Sequence, residues 1–349
     1  MNTLLFHCRP GFESEVCSEI SEVASRLEVA GYAKAKPATA YAEFVCSESD
    51  GAHRLMRGQR FAQLIFPRQW ARGDFIQLPE KDRISVLIAQ LAAYPQCGSL
   101  WLEVFDTNDG KELSNFCKKF EKPLRQALSK AGKLVDDPKK PRLLLTFRSG
   151  REVFVGLAEA DNCALWPMGI PRLRFPHAAP SRSTLKLEEA WHQFIPRDDW
   201  DERLAPAMTA VDLGAAPGGW TWQLVNRHIR VIAVDNGPMA ESLMESGLVV
   251  HTQADGFTFK PQKPVDWMVC DIVEKPARNA ALIETWLGEG LCREAVVNLK
   301  LPMKQRYAEV TKLLQRIAEG LQARGVKASI GCKQLYHDRE EVTCHLRRL

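Results

Sequence analysis

Residues 211–224 read VDLGAAPGGWTWQL. The apolar run ending in AVDLG has strand character, and WTWQLVNRH has helical character. Between them lies a loop of small residues and one proline. Glycines at 214, 218 and 219 let backbone approach a ligand closely and take dihedrals closed to other residues. The N-terminus of the following helix offers N–H groups to a carboxylate or phosphate. No Lys-Ser/Thr pair follows the loop, which excludes a phosphate-gripping P-loop. The spacing is GxxxGG rather than GxGxxG, which counts against a dinucleotide.

Downstream, strand candidates follow in series: MTAVDLG, RVIAVD, LVVHTQ, DWMVCD, EAVVNLK, KASIG and EVTCHLR. Helix candidates separate the first six. Apolar strands alternating with helices predict a doubly wound parallel sheet of seven strands. Only CKQLYHDRE separates the last two, too short for a helical crossover, so the last strand is predicted to be antiparallel to the sixth. Asp235 ends the second strand, about 21 residues after Gly214, where an acid can accept hydrogen bonds from both ribose hydroxyls. Asp255 follows the third strand, placed to meet an adenine amine. Loop, ribose acid and base acid in this order suit S-adenosylmethionine.

Upstream, the proline-rich stretch ALWPMGIPRLRFPHAAPSRS reads as a stiff, extended connector. The predicted organisation is therefore a first module over 1–160, a linker over 161–180 and a second domain over 181–349. In the first module, GFESEVCSEISEVASRLEVAG has Val16, Ile20, Val23 and Leu27 on one helical face. AYAEFVC and QLIFPRQW alternate as strands do. RISVLIAQLAAY reads as a helix and LWLEVFDT as a strand. KELSNFCKKFEKPLRQALSKAG reads as a long basic helix, bent or broken near Pro123. RLLLTFRS and EVFVGLAE read as a strand pair. From Gly110 to Arg151 there are twelve Lys/Arg against four Asp/Glu, a local balance of +8 in a chain whose formal net charge is only +4. Such a concentration suggests a footprint for nucleic acid.

With 45% hydrophobic and 26% charged residues, the composition is that of an ordinary globular protein. No run approaches the ~20 apolar residues that span a bilayer, and MNTLLFHCRPGFESE turns polar too early for a signal peptide. A cytoplasmic protein without a membrane partner is expected, as a monomer or weak dimer. The ten cysteines form no CxxC pair and no zinc-ligand spacing, so they read as reduced thiols and no metal is implied.

From roughly residue 175 onward the sequence resembles the FtsJ-type ribose 2′-O-methyltransferases. Five motifs carry the resemblance in order: SRSTLKLEEA, DLGAAPGGW, CDIVEKP, NLKLPM and DREEV. The whole chain is similar to members of that family that act on a cytidine of large-subunit (23S) ribosomal RNA. Those carry an N-terminal ferredoxin-like and THUMP module that binds RNA. Here the THUMP likeness rests mainly on VFDTNDGKELSNFCKKF. The resemblance implies a Rossmann-like methyltransferase sheet and S-adenosylmethionine as cofactor. It places a Lys–Asp–Lys–Glu tetrad on Lys186, Asp271, Lys300 and Glu341. It also places cofactor contacts on Gly214, Ala216, Pro217, Gly218, Gly219 and Trp220 of the loop, on Asp235, Asp255 and Asp271, and on Ser183 upstream.

The chemistry agrees with those residue types. A ribose hydroxyl must lose its proton as it attacks a methyl sulfonium, so a base is needed. A lysine serves only where its pKa is pulled down, as a second lysine and partial burial both do. Lys300 is therefore expected as general base, and Lys186 as the neighbouring charge that steadies the ribose oxygen. Asp271 is expected to orient Lys300 and to sit near the methyl group, and Glu341 to hold Lys186 or the ribose. Lys304 is the alternative base if the strand ends later. Cys270 reads as a buried strand residue rather than a nucleophile, Trp220 as packed on the sheet, and Tyr336 and His337 as turn or substrate-contacting residues. DIVEKP lacks the Asn/Asp-Pro-Pro-aromatic pattern of exocyclic-amine methylation. A base or other RNA methyltransferase with the same cofactor site, and a non-catalytic RNA-binding assembly protein, are the competing readings.

Overall fold

The computed structural model describes residues 1–349, which divide into two units, Met1–Pro171 and Arg172–Leu349. No helix is long and apolar enough to cross a membrane.

The first unit runs β1 (Thr3–His7), α1 (Glu13–Arg26), β2 (Gly31–Ala35), β3 (Tyr41–Cys46), α2 (Gly51–Gly58), β4 (Gln69–Gln77), α3 (Arg83–Gln90), β5 (Ser99–Val104), α4 (Asn108–Lys130), β6 (Arg142–Phe147) and β7 (Glu152–Ala158). Its strands form one sheet in the order β2-β3-β1-β4-β7-β6-β5. The central strand β4 changes partner along its length. Gln69–Gly73 pair with β1, and Arg72–Gln77 pair with β7. At the crossing Gly73 stands opposite Gly156, and a Cβ on Gly73 would overlap the Val155 carbonyl.

Two expectations fail in this unit. QLIFP is not strand, because the buried Glu19 carboxylate of α1 takes the N–H groups of Ile65 and Phe66 at 2.6 and 3.0 Å. The ladder starts only at Gln69, after Pro67. Helix α4 is not broken at Pro123 but continues to Lys130. Proline removes one N–H from the helical ladder, but Leu124 and Leu128, both fully buried, pack the chain beyond it onto the sheet. The Thr107 hydroxyl caps its start by accepting the Gly110 N–H at 3.1 Å. Residues 162–169 are tied to this unit rather than standing free as a connector. Trp70 Nε1 donates to the Asn162 carbonyl, and the Met168 N–H donates to buried Glu103, both at 2.6 Å.

The second unit runs α5 (Thr184–Phe194), α6 (Trp200–Arg203), β8 (Thr209–Leu213), α7 (Gly219–Val225), β9 (Arg230–Val234), α8 (Glu241–Met244), β10 (Val249–Thr252), β11 (Val265–Cys270), α9 (Pro276–Gly288), β12 (Cys292–Lys300), α10 (Arg306–Ala323), β13 (Ala328–Lys333) and β14 (Glu341–Arg348). The sheet order is β10-β9-β8-β11-β12-β14-β13, with β14 antiparallel to both neighbours as expected. The remaining pairs are parallel. This is the doubly wound, seven-stranded sheet that the sequence predicts.

One predicted helix is absent. Residues 253–264, between β10 and β11, form no helix. Gly256, Pro261 and Pro264 disfavour one, and Asp255 closes a turn by accepting the Phe257 N–H at 2.9 Å. The core on one face of the sheet gathers Leu187, Trp191, Trp220, Leu224 and Trp267.

Strand register decides what the carboxyl edge displays. Leu213 lies beside Val234 and Cys270, so Gly214, Asp235 and Asp271 leave three adjacent strands at one level. Cys270 lies beside Val297, and Lys300 stands directly opposite Glu341.

Candidate active site

At that edge four side chains converge. Lys186 projects from the first turn of α5. Its Nζ lies 2.8 Å from Glu341 Oε1 and 3.3 Å from both oxygens of Asp271. Lys300 Nζ lies 3.5 Å from Glu341 Oε2. Glu341 thus bridges the two lysines. Burial opposes the charge on Lys186, but the carboxylates of Asp271 and Glu341 outweigh it and hold the ammonium above its ordinary value. Burial likewise pushes Glu341 up, yet the hydrogen bond and charge of Lys186 prevail and leave it below the usual carboxylate range. Asp271 goes the other way: burial raises it even with Lys186 beside it.

The two lysines differ in kind. The Lys186 side chain is 17% exposed and has two carboxylate partners, whereas that of Lys300 is 43% exposed and touches Glu341 alone. Asp271 was expected to orient Lys300. It pairs instead with Lys186, and its Oδ1 also accepts Asn298 Nδ2 at 2.7 Å. The reason is register: Cys270 pairs with Val297, so Asn298 follows level with Asp271 and Lys300 lies two residues further along β12. Lys304, the alternative base, sits exposed beyond the strand end, where no carboxylate of the cluster meets it.

The glycine loop sits one strand over. Gly214 and Gly218 have φ of +76° and +114°, a region that favours glycine. The Ala216–Pro217 peptide is cis. A Cβ on Gly214 would lie 2.6 Å from Ile272 Cγ1, and one on Gly219 would overlap the hydroxyls of Ser183 and Ser181. Asp235 is folded onto this loop, its two oxygens accepting the N–H groups of Ala216 at 3.0 Å and Gly237 at 2.7 Å. Each oxygen keeps a further lone pair for a hydroxyl. Beneath the loop, Asp212 accepts Thr221 Oγ1 at 2.6 Å, and burial pushes its carboxyl up to about 7.

These residues fit S-adenosylmethionine. A glycine-lined floor would hold its methionine portion. Asp235, oriented by two N–H groups, would take ribose hydroxyls, and Asp271 closes the floor from the next strand. Ser183 stands against Gly219, at the start of α5. Asp255 is exposed on its own turn. Trp220 is 2% exposed within the core, so only its backbone faces the loop. Cys270 is fully buried and its thiol is pushed up to about 12, which fits a strand residue and not a nucleophile.

Several residues of the site escaped the sequence reading. Thr343 Oγ1 lies 2.8 Å from Asn298 Oδ1 and about as close to the buried Asp338. Glu189, one helical turn after Lys186, accepts the N–H groups of Tyr336 and His337 and the His337 ring, at 2.6–2.9 Å. It thereby anchors the loop between β13 and β14. The available signal was periodicity. Asn298 and Thr343 are each two positions from a tetrad residue on a strand, and Glu189 is three from Lys186 on a helix.

Comparison with known proteins gives three family matches. Residues 1–71 match the RlmM ferredoxin-like domain, 82–159 the N-terminal region of ribosomal RNA large subunit methyltransferase M, and 179–316 the FtsJ-like methyltransferases. Over its full length the chain is 80% identical to the ribosomal RNA large subunit methyltransferase M of Pseudomonas syringae pv. syringae (strain B728a), covering 98% of that protein. It is also 80% identical to the protein of the same description from Stutzerimonas stutzeri (strain A1501), covering 100% of both chains. The corresponding protein of Ectopseudomonas mendocina (strain ymp) is 79% identical over 348 residues, 99% of its length.

Proposed function

The chain belongs to the ribosomal RNA large subunit methyltransferase M family, and on that footing we propose that it methylates the ribose 2′-oxygen of a cytidine in large-subunit ribosomal RNA. S-adenosylmethionine is the methyl donor and, when bound, supplies an electrophilic methyl group on a sulfonium. The observation that carries the reading is the bridge Lys186–Glu341–Lys300 beside Asp271. It puts one firmly held ammonium and one more exposed amine at the edge where the glycine loop opens.

The roles follow from the contacts. Lys186, kept charged by two carboxylates, is suited to donate a hydrogen bond to the substrate oxygen and poorly suited to take a proton. Lys300 accepts the 2′-hydroxyl proton at Nζ. Glu341 holds both amines in place, and Asp271 fixes Lys186 from the cofactor side. The residues implied by the family resemblance thus divide into an oxygen-binding lysine and a proton-accepting lysine.

The test uses labelled S-adenosylmethionine and deproteinised ribosomal RNA from cells lacking the protein. Label is expected in one alkali-resistant dinucleotide, since a 2′-O-methyl group blocks cleavage of the neighbouring phosphodiester. Label on a released base would instead establish a base methyltransferase with the same cofactor site. No transfer to any RNA, with the cofactor bound, would favour a non-catalytic assembly protein.

The first unit is proposed to bind the RNA in the cytoplasm, in the manner of a THUMP-bearing module. Lys118, Lys119 and Lys122 of α4 are exposed. Changing all three to glutamate should weaken RNA binding about uniformly across sequences and flatten its salt dependence. Filter binding over a salt series measures both, and an unchanged slope would remove α4 from the RNA contact.

A further inference from the structure

Beside the tetrad lies a hydrogen-bonded chain whose proton count is informative. Asn298 Nδ2 donates to Asp271 Oδ1 at 2.7 Å. A carboxylate paired with Lys186 is an acceptor, so the amide nitrogen must face it and Asn298 Oδ1 must face Thr343. That oxygen lies 2.8 Å from Thr343 Oγ1 and accepts only. The single hydroxyl proton of Thr343 is therefore committed to Asn298. Yet Thr343 Oγ1 also lies 3.1 and 3.0 Å from the two oxygens of Asp338. An ionised Asp338 would set acceptor against acceptor there.

Asp338 is 1% exposed, and its Oδ2 accepts the Leu335 N–H at 2.9 Å. Burial, with Glu189 and Glu341 nearby, favours its neutral form, opposed by that N–H and by Lys186.

We propose that Asp338 is a protonated carboxylic acid whose O–H donates to Thr343 Oγ1, closing a chain Asp338–Thr343–Asn298 that fixes the Asp271 carboxylate against Lys186. The chain makes Asn298, Thr343 and Asp338 positioning residues, and it rests on the methyl-transfer reading for its effect on rate. Its direction is set at both ends, by a donor acid at Asp338 and by an acceptor carboxylate at Asp271. Register makes the chain possible: Asn298 and Thr343 are paired across β12 and β14.

The experiment compares Thr343→Val, Thr343→Ser, Asp338→Leu and Asp338→Asn in the full chain. Thr343→Val keeps the shape and removes the hydroxyl. It should lower kcat for methyl transfer about ten- to a hundredfold, with KM for RNA little changed, and Thr343→Ser should restore the rate. Asp338→Asn keeps an N–H donor toward Thr343 and an acceptor toward the Leu335 N–H, so its kcat should exceed that of Asp338→Leu by about tenfold. Infrared spectra at neutral pH should show a protonated carboxyl stretch in the wild type that is missing in Asp338→Asn. Equal losses in Asp338→Asn and Asp338→Leu, or no such band in the wild type, would overturn the assignment. If wild-type protein transfers no methyl group to ribosomal RNA, the proposed function fails while the infrared band still decides the protonation of Asp338.

Discussion

Lys300→Ala should cut methyl transfer to ribosomal RNA by about 10²–10⁴-fold, the span of a lost general base, while leaving the affinity for S-adenosylmethionine near that of the wild type. The asymmetry follows from position. The Lys300 amine touches Glu341 and none of the loop residues that would hold the cofactor, and its side chain is 43% exposed. Its removal breaks one 3.5 Å contact, so the fold should survive. Single-turnover rates with equilibrium dialysis of the cofactor separate the two effects. A rate within about threefold of wild type, far inside the loss of a base, would transfer the role elsewhere, and Lys304→Ala is then the variant to try.

Lys186→Met should lower stability as well as remove the hydrogen bond proposed for the substrate oxygen. It leaves Asp271 and Glu341 beside each other without the ammonium between them. Breaking a buried pair in this way costs ~3–5 kcal/mol, and the lower end applies because the Lys186 side chain is 17% exposed. At ~2–4 °C per kcal/mol for a unit of this size, the thermal midpoint should fall by about 6–12 °C. The loss should depend on pH. The folded pKa of Lys186 is raised, so its stabilisation is fully present below about 10.4 and fades as pH rises through the folded value. The folded pKa of Glu341 is depressed, so its contribution is present above about 4.3 and fades as pH falls through the folded value. Asp271 is raised even in the presence of Lys186, and without it should protonate more readily still. The deficit of Lys186→Met is therefore expected to be largest between about pH 5 and 10 and to shrink on acidification. Melting curves at three pH values measure it. A deficit independent of pH would mean that lost packing, not charge, is responsible.

The second unit was largely legible in the sequence because its signals are local. Gly214, Gly218 and Gly219 announce a loop that backbone alone must line, and the strand ends following AVDLG, VIAV and WMVC place Gly214, Asp235 and Asp271 at one edge. That Glu341 would lie at the same edge followed from predicting the last strand as antiparallel; that it faces Lys300 is seen only in the structure. What could not be read is partner choice across the sheet. Asp271 has two lysines within reach in sequence terms, and it is the register of β12 against β11, setting Asn298 rather than Lys300 level with it, that leaves it to Lys186. Asp338 sits in a stretch, CKQLYHDRE, with no periodicity to mark it as buried. The failures in the first unit have the same origin. Pro123 is a helix breaker by local rules, yet Leu124 and Leu128 override it through packing. QLIFP alternates like a strand, but a carboxylate from α1 takes its backbone donors.

The change of partner along β4 has a bearing on how the chain came to be divided. The matches to the two N-terminal regions, 1–71 and 82–159, suggest separable modules. The boundary between them, however, runs through a nine-residue strand whose two halves belong to different neighbours. Cutting there would bare a long edge of unpaired backbone on each fragment, the kind of surface that templates aggregation. Melting of either half should therefore propagate into the other. The two matched regions share one sheet, and β4 is the strand that joins them.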